Sequence, residues 1–119
     1  MNILIVDKYY DPGRSLKASL EEAGYKTIAL SSYQGILDVL IQKRVDAAIV
    51  GVATTVEFCE SILRQMKKLD LDLPVIVASP YKDVAGREKL IGLGVREWIA
   101  RPFKAEYVRE RVEELVNGS

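Results

Sequence analysis
The sequence predicts an α/β domain, a doubly wound parallel sheet covered by helices on both faces. Two observations carry this. Five short apolar runs rich in β-branched residues alternate with longer stretches whose apolar residues recur at helical spacing. That alternation is strict, which implies parallel strands joined by right-handed crossovers. A chain of 119 residues then suffices for a single domain over 1–119 with one core.

The elements follow in order. "MNILIVD" supplies a first strand over Ile3 to Val6, and Pro12 in "YYDPGR" suits the first turn of a helix, with Asp11 before it either recruited toward the pocket at the strand ends or a plain N-cap. Leu16, Leu20 and Ala23 form that helix's apolar stripe, and Gly24 closes it. Thr27 to Leu30 is the second strand; Ile36, Val39 and Leu40 mark the second helix. Ala47 to Val52 is the third strand, and Thr54 stands three residues before Glu57 at capping-box spacing. Phe58, Ile62 and Met66 give the third helix its stripe. Val75 to Ala78 is the fourth strand. The segment from Asp83 to Leu93 is a less regular helix, with Gly86 and Gly92 inside it and Gly94 closing it. Trp98 to Ala100 is the fifth strand, and Val108, Val112 and Leu115 face the core from the last helix. The unbroken apolar runs at Ile3, Ala47 and Val75 mark central strands, buried on both faces.

Composition excludes several function classes. Lys plus Arg (17) balance Asp plus Glu (17), with no run of like charge, so neither nucleic acid nor a membrane surface is an expected partner. The apolar N-terminal run is too short to span a bilayer and lacks a basic leader, so it is expected to be neither anchor nor signal peptide, and the single cysteine points to cytoplasmic residence. Cys59, in the apolar "FCESIL", reads as a buried thiol, with no second cysteine to pair with. There is no histidine, which removes His-based acid-base catalysis and His metal ligation. No glycine-rich phosphate loop is present, and "NGS" at the end reads as a linker stub or cloning remnant.

In a doubly wound sheet the loops after the strands gather at one edge, and a ligand site is expected where the winding reverses. That edge collects Asp7 and Lys8, Gly51, Ser79, and Arg101 with Pro102. The segments "ILIVD", "LEEAGY", "VDAAIV", "LPVIVAS" and "IARPF" resemble, at their spacings and over essentially the whole chain, a CheY-like receiver domain of response regulators. The resemblance implies a flavodoxin-like sheet with strand order 2-1-3-4-5. It also implies phosphoryl transfer from a histidine kinase to an aspartate ending the third strand, with a divalent metal on a neighbouring acidic pair.

Residue by residue, the chemistry implied by that resemblance is not matched. Asp7 fits the first acidic position, but the second is Lys8. The acceptor position is Gly51. Ser79 fits the family's Ser/Thr, and the family's lysine position is Arg101, whose planar fork replaces a compact ammonium. A dication and a lysine held ~4 Å apart repel by about 8 kcal/mol at an effective dielectric of ~20. The expectation is therefore a degenerate phosphorylation pocket of Asp7, Lys8, Gly51, Ser79 and Arg101, with no metal, no cofactor and no catalytic residue. Asp7 between Lys8 and Arg101 would form an internal ion cluster. The resemblance also implies a cis bond before Pro102; on sequence grounds alone cis is the rare form.

Trp98 stands where the family often has a Tyr or Phe. It reads either as an anchor on the face of the fourth helix, fifth strand and fifth helix, or as a half-buried strand tryptophan. Arg109, Glu110, Arg111 and Glu113 read as a partner surface or as a solvated helix face. Tyr9 and Tyr10 could stack on a planar ligand, or belong to an ordinary loop. The expected function is a non-enzymatic, non-phosphorylatable receiver-like signalling module of a two-component-type regulator. It would act through a protein partner or by self-association into a symmetric dimer through that face. The alternative is a small-molecule or nucleotide sensor, with Lys8 and Arg101 as cationic contacts and Ser79 as donor in the vacated crevice. Glu57 as a substitute phosphoacceptor is disfavoured, because it should lie inside the third helix.

Overall fold
The computed structural model describes residues 1–6, 10–30, 35–51, 56–79, 84–100 and 103–117, with the side chains of 10–15, 56–58 and 84–85 left aside. Ten elements alternate without exception: β1 Asn2–Val6, α1 Tyr10–Glu22, β2 Lys26–Leu30, α2 Ile36–Gln42, β3 Ala47–Gly51, α3 Val56–Lys68, β4 Val75–Ser79, α4 Val84–Gly92, β5 Val95–Ala100 and α5 Ala105–Asn117. The strands form one parallel sheet in the order β2-β1-β3-β4-β5. The doubly wound architecture and strand order are those expected.

Period-two alternation along the central strands divides the core between the two faces. Leu4, Val6, Ala48, Val50, Val75 and Val77 turn to one side, where Ile36 and Leu40 of α2, Cys59, Leu63 and Met66 of α3, and Leu90 of α4 cover them. Ile3, Ile5, Ala47, Ile49 and Ile76 turn to the other, against Leu16 and Leu20 of α1 and Val108 and Val112 of α5. Every residue of β3 and β4 is buried, as their unbroken apolar runs require.

The helices end as their sequences direct. Gly24 and Gly94 adopt φ of 96° and 108°. After α1, the Gly24 N–H donates to the Glu21 carbonyl and the Tyr25 N–H to that of Leu20, the paired bonds of a Schellman close. The same pair ends α3 around Asp70, a non-glycine at φ 56°: Asp70 N–H to Lys67 carbonyl and Leu71 N–H to Met66 carbonyl.

Four expectations are corrected. β5 begins at Val95, three residues before Trp98, because Val95 pairs with Val75 although the charged Arg96 and Glu97 interrupt the apolar run. Ala23 lies beyond α1 and is exposed, so the α1 stripe is Leu16 and Leu20. On α3 the buried row is Cys59, Leu63 and Met66, with Ile62 only partly buried; Phe58 has no described side chain. Asp11 is the second residue of α1 rather than its cap, and Pro12 does fall in the first turn. Glu57 lies inside α3, as expected. Thr54, Tyr9 and the bond before Pro102 lie outside the described residues.

Candidate functional site
The C-terminal ends of β1, β3, β4 and β5 form one edge of the sheet. Val6 pairs with Val50, so β3 runs one residue further and ends on Gly51; Gly51 pairs with Ala78, and β4 ends one residue later on Ser79. Gly51 and Ser79 therefore come together on adjacent central strands, both buried, with Ser79 only 1% exposed. β1 and β3 are neighbours whose following helices cover opposite faces, which makes their C-terminal ends the switch point. Asp7, Lys8, Arg101 and Pro102 lie outside the described residues; β1 and β5, which they follow in sequence, end at Val6 and Ala100.

A second cluster lies along β5 and its flanking helices. Trp98 pairs in register with Val77 and is partly buried against the cluster that holds Leu90 of α4. Its neighbour Glu97 turns to the opposite face, where Arg111 of α5 donates to it from Nη2 at 3.0 Å and to Glu114 through Nη1. Glu97 holds the Arg111 guanidinium above its ordinary pKa, first through the hydrogen bond and then through charge. Arg109 stands 3.7 Å from Glu113 on the same helix, and Glu110 is exposed. Of the proposed interface residues, Arg111 is thus tied to β5 and Arg109 to its own helix. Ile91 of α4 and Tyr107 of α5, which the sequence did not single out, are 44% and 48% exposed. Tyr107 lies one turn before Arg111, a spacing that could have pointed to it.

On the α3–α4 side, one carboxylate joins two helices. Glu60 accepts from Arg64 Nε and Nη2 at 3.0 and 2.9 Å and from Lys89 of α4 at 2.8 Å. The Lys89 hydrogen bond, then that of Arg64, pulls the Glu60 carboxyl below its usual range. Beside it, burial alone pushes the Cys59 thiol up to about 12, so the expected buried thiol is found.

No protein-family model matches the chain. It is 26% identical over 117 residues to "Heme response regulator HssR" of Staphylococcus haemolyticus, across 95% of this chain and 50% of that protein. With "Sporulation initiation phosphotransferase F" of Bacillus subtilis it shares 26% over 114 residues, across 96% and 92% of the two chains. A response regulator from Thermotoga maritima superposes with a TM-score of 0.84 at 24% identity, across 98% of each chain. A CheY-like response-regulator receiver domain is what these likenesses support. The chain spans about half the length of the first relative and nearly all of the second. Among the described residues, no helix is long and apolar enough to cross a membrane.

Proposed function
We propose that this receiver domain does not accept phosphate and acts through protein contacts, as the regulatory part of a two-component-type regulator. One observation carries the reading: the residue that ends β3, beside Ala78 and next to Ser79, is Gly51. An acyl phosphate forms when a carboxylate oxygen attacks phosphorus, and glycine offers no such oxygen. The donor set does not fit a magnesium site either, since the ion takes carboxylates and water, while this edge carries Lys8 and Gly51 in two of the positions where the family resemblance expects acids. Of the acids that the resemblance expects at this edge, the sequence retains Asp7 alone.

Output then depends on surface recognition. The elements α4, β5 and α5 carry the partly buried Trp98 and the exposed Ile91 and Tyr107, together with the charged Arg109, Glu110, Arg111 and Glu113. Aromatic anchors inside a polar rim are the usual anatomy of a protein interface.

The test is incubation with acetyl phosphate and magnesium, followed by mass spectrometry before and after mild acid. No mass gain is expected. Backbone NMR shifts should likewise be indifferent to magnesium with beryllofluoride. An acid-labile phosphoryl adduct, or saturable shifts confined to the strand ends, overturns the proposal.

A further inference from the structure
The sheet has two unlike edges. On the β5 side the register slips between Val75 and Ile76, so Arg96 has no β4 partner, and the charges of Arg96 and Glu97 follow one another. Bulges and charges of this kind blunt an edge against pairing. β2 has neither. Its register with β1 is unbroken from Asn2↔Lys26 to Val6↔Leu30, "KTIAL" contains no proline, and its lone charge, Lys26, stands at the first position. No residue of β2 is buried.

The direction of its free backbone groups is fixed. Lys26 donates its N–H to the Met1 carbonyl at 2.9 Å, and backbone groups alternate along a strand. The N–H and C=O of Ile28 and Leu30 therefore turn to β1, while those of Thr27 and Ala29 turn outward. Among the described residues, no strand lies on that outward side.

We propose that β2 pairs with β2 of a second copy, antiparallel about a twofold axis at Ile28, joining two sheets into one. In this register Thr27 faces Ala29 of the second copy, and each such pair exchanges both of its N–H···O=C bonds. Ile28 faces Ile28 at the closely spaced position where side chains meet most directly. Lys26 falls opposite Leu30 rather than opposite its own copy, so like charges stay apart. Other antiparallel registers pair fewer of the five residues, and a slip of one residue sets outward groups against inward ones. The strand is thus self-complementary, as an isologous contact must be. The contact is small, so a weak dimer is expected, with dissociation on the order of micromolar to millimolar.

Ala29→Pro tests the inference directly. It deletes one outward N–H and leaves the β1 ladder intact, a site where an edge strand tolerates proline. The average mass of the unmodified chain by light scattering should double as concentration rises, while Thr27 and Ala29 amides slow in hydrogen exchange. Ala29→Pro, with unchanged circular dichroism, should stay monomeric where the unmodified chain is half dimeric. A monomer at every concentration, or a dimer that survives Ala29→Pro, overturns the inference. So does a dimer in which Thr27 and Ala29 amides still exchange fast, a readout that needs no variant. Tyr107→Ala separates this dimer from one formed through the α4–β5–α5 face: it should leave β2 pairing unchanged, and loss of the dimer on that substitution alone overturns the β2 assignment.

Discussion

Leu90→Ala is expected to release α4 before the rest of the domain unfolds. α4 is short, contains Gly86 and Gly92, and among its described side chains exposes all but Gly86 and Leu90. Leu90 is 0% exposed, so among the described side chains of α4 it is the one large residue buried in the core. Its companion contact, Lys89 to Glu60, is a surface pair with Lys89 half exposed, of a kind that contributes little. Trimming Leu90 to a methyl forfeits roughly 2.4 kcal/mol of transfer free energy at about 0.8 for each lost carbon. The cavity raises the total to about 3–4, inside the range of ~2–5 for buried leucines. A domain of this size has stability on the order of 6–18 kcal/mol, so the variant should remain folded. Urea unfolding gives the global loss, and native-state hydrogen exchange shows where it falls: α4 amides should lose protection while those of α3 keep most of theirs. Trp98, the chain's sole tryptophan, packs in the same cluster as Leu90, and its emission should shift red. A loss below ~1 kcal/mol, or α3 and α4 opening together, refutes the claim that α4 hangs on one residue.

Two further perturbations follow from local geometry. Cys59 is 3% exposed and its thiol is pushed up to about 12 by burial, so Ellman's reagent at neutral pH should react no faster than the domain unfolds. Because the fold favours the neutral thiol, the associated stability is intact below the ordinary pKa of 9.0. It should fall by about 1.4 kcal/mol per pH unit from there toward 12. Cys59→Ala removes that slope, and an unchanged slope contradicts the burial assignment. Asp70 occupies φ 56° at the end of α3; Asp70→Gly should raise stability by up to ~1 kcal/mol in urea unfolding, whereas Gly24→Ala, at φ 96°, should lower it by a similar amount.

What the sequence disclosed tracks how local each cause is. β1, β3 and β4 were legible because both of their faces are buried, which leaves unbroken apolar runs. The start of β5 was not, because Arg96 and Glu97 belong to an edge strand whose extent is set by pairing with β4. Gly24 and Gly94 announced helix ends; Asp70 makes the same turn without the residue that signals it. The same division runs through the candidate site. Gly51 and Ser79 could be placed at the strand ends from the apolar runs before them. The bonds from Arg111 to Glu97 and from Lys89 to Glu60 join different elements, and no periodicity encodes how one element is seated on another.

Gly51 can end β3 because the fold's stability is generated below that edge. The β3 residues that enter the two cores are Ala47, Ala48, Ile49 and Val50, and glycine at the next position costs only about 0.5–1 kcal/mol relative to alanine. An aspartate there would bring its charge to a buried position, where an ionised carboxylate costs several kcal/mol unless a cation answers it. In a phosphate-accepting receiver, bound metal gives that answer. Where a lysine takes the place of a metal-binding acid, the metal goes and the aspartate becomes a buried charge that depends on whatever cation remains. Where the aspartate goes first, the metal loses a ligand. Either change makes the other less costly, so under the proposed function Lys8 and Gly51 are expected as a coupled pair.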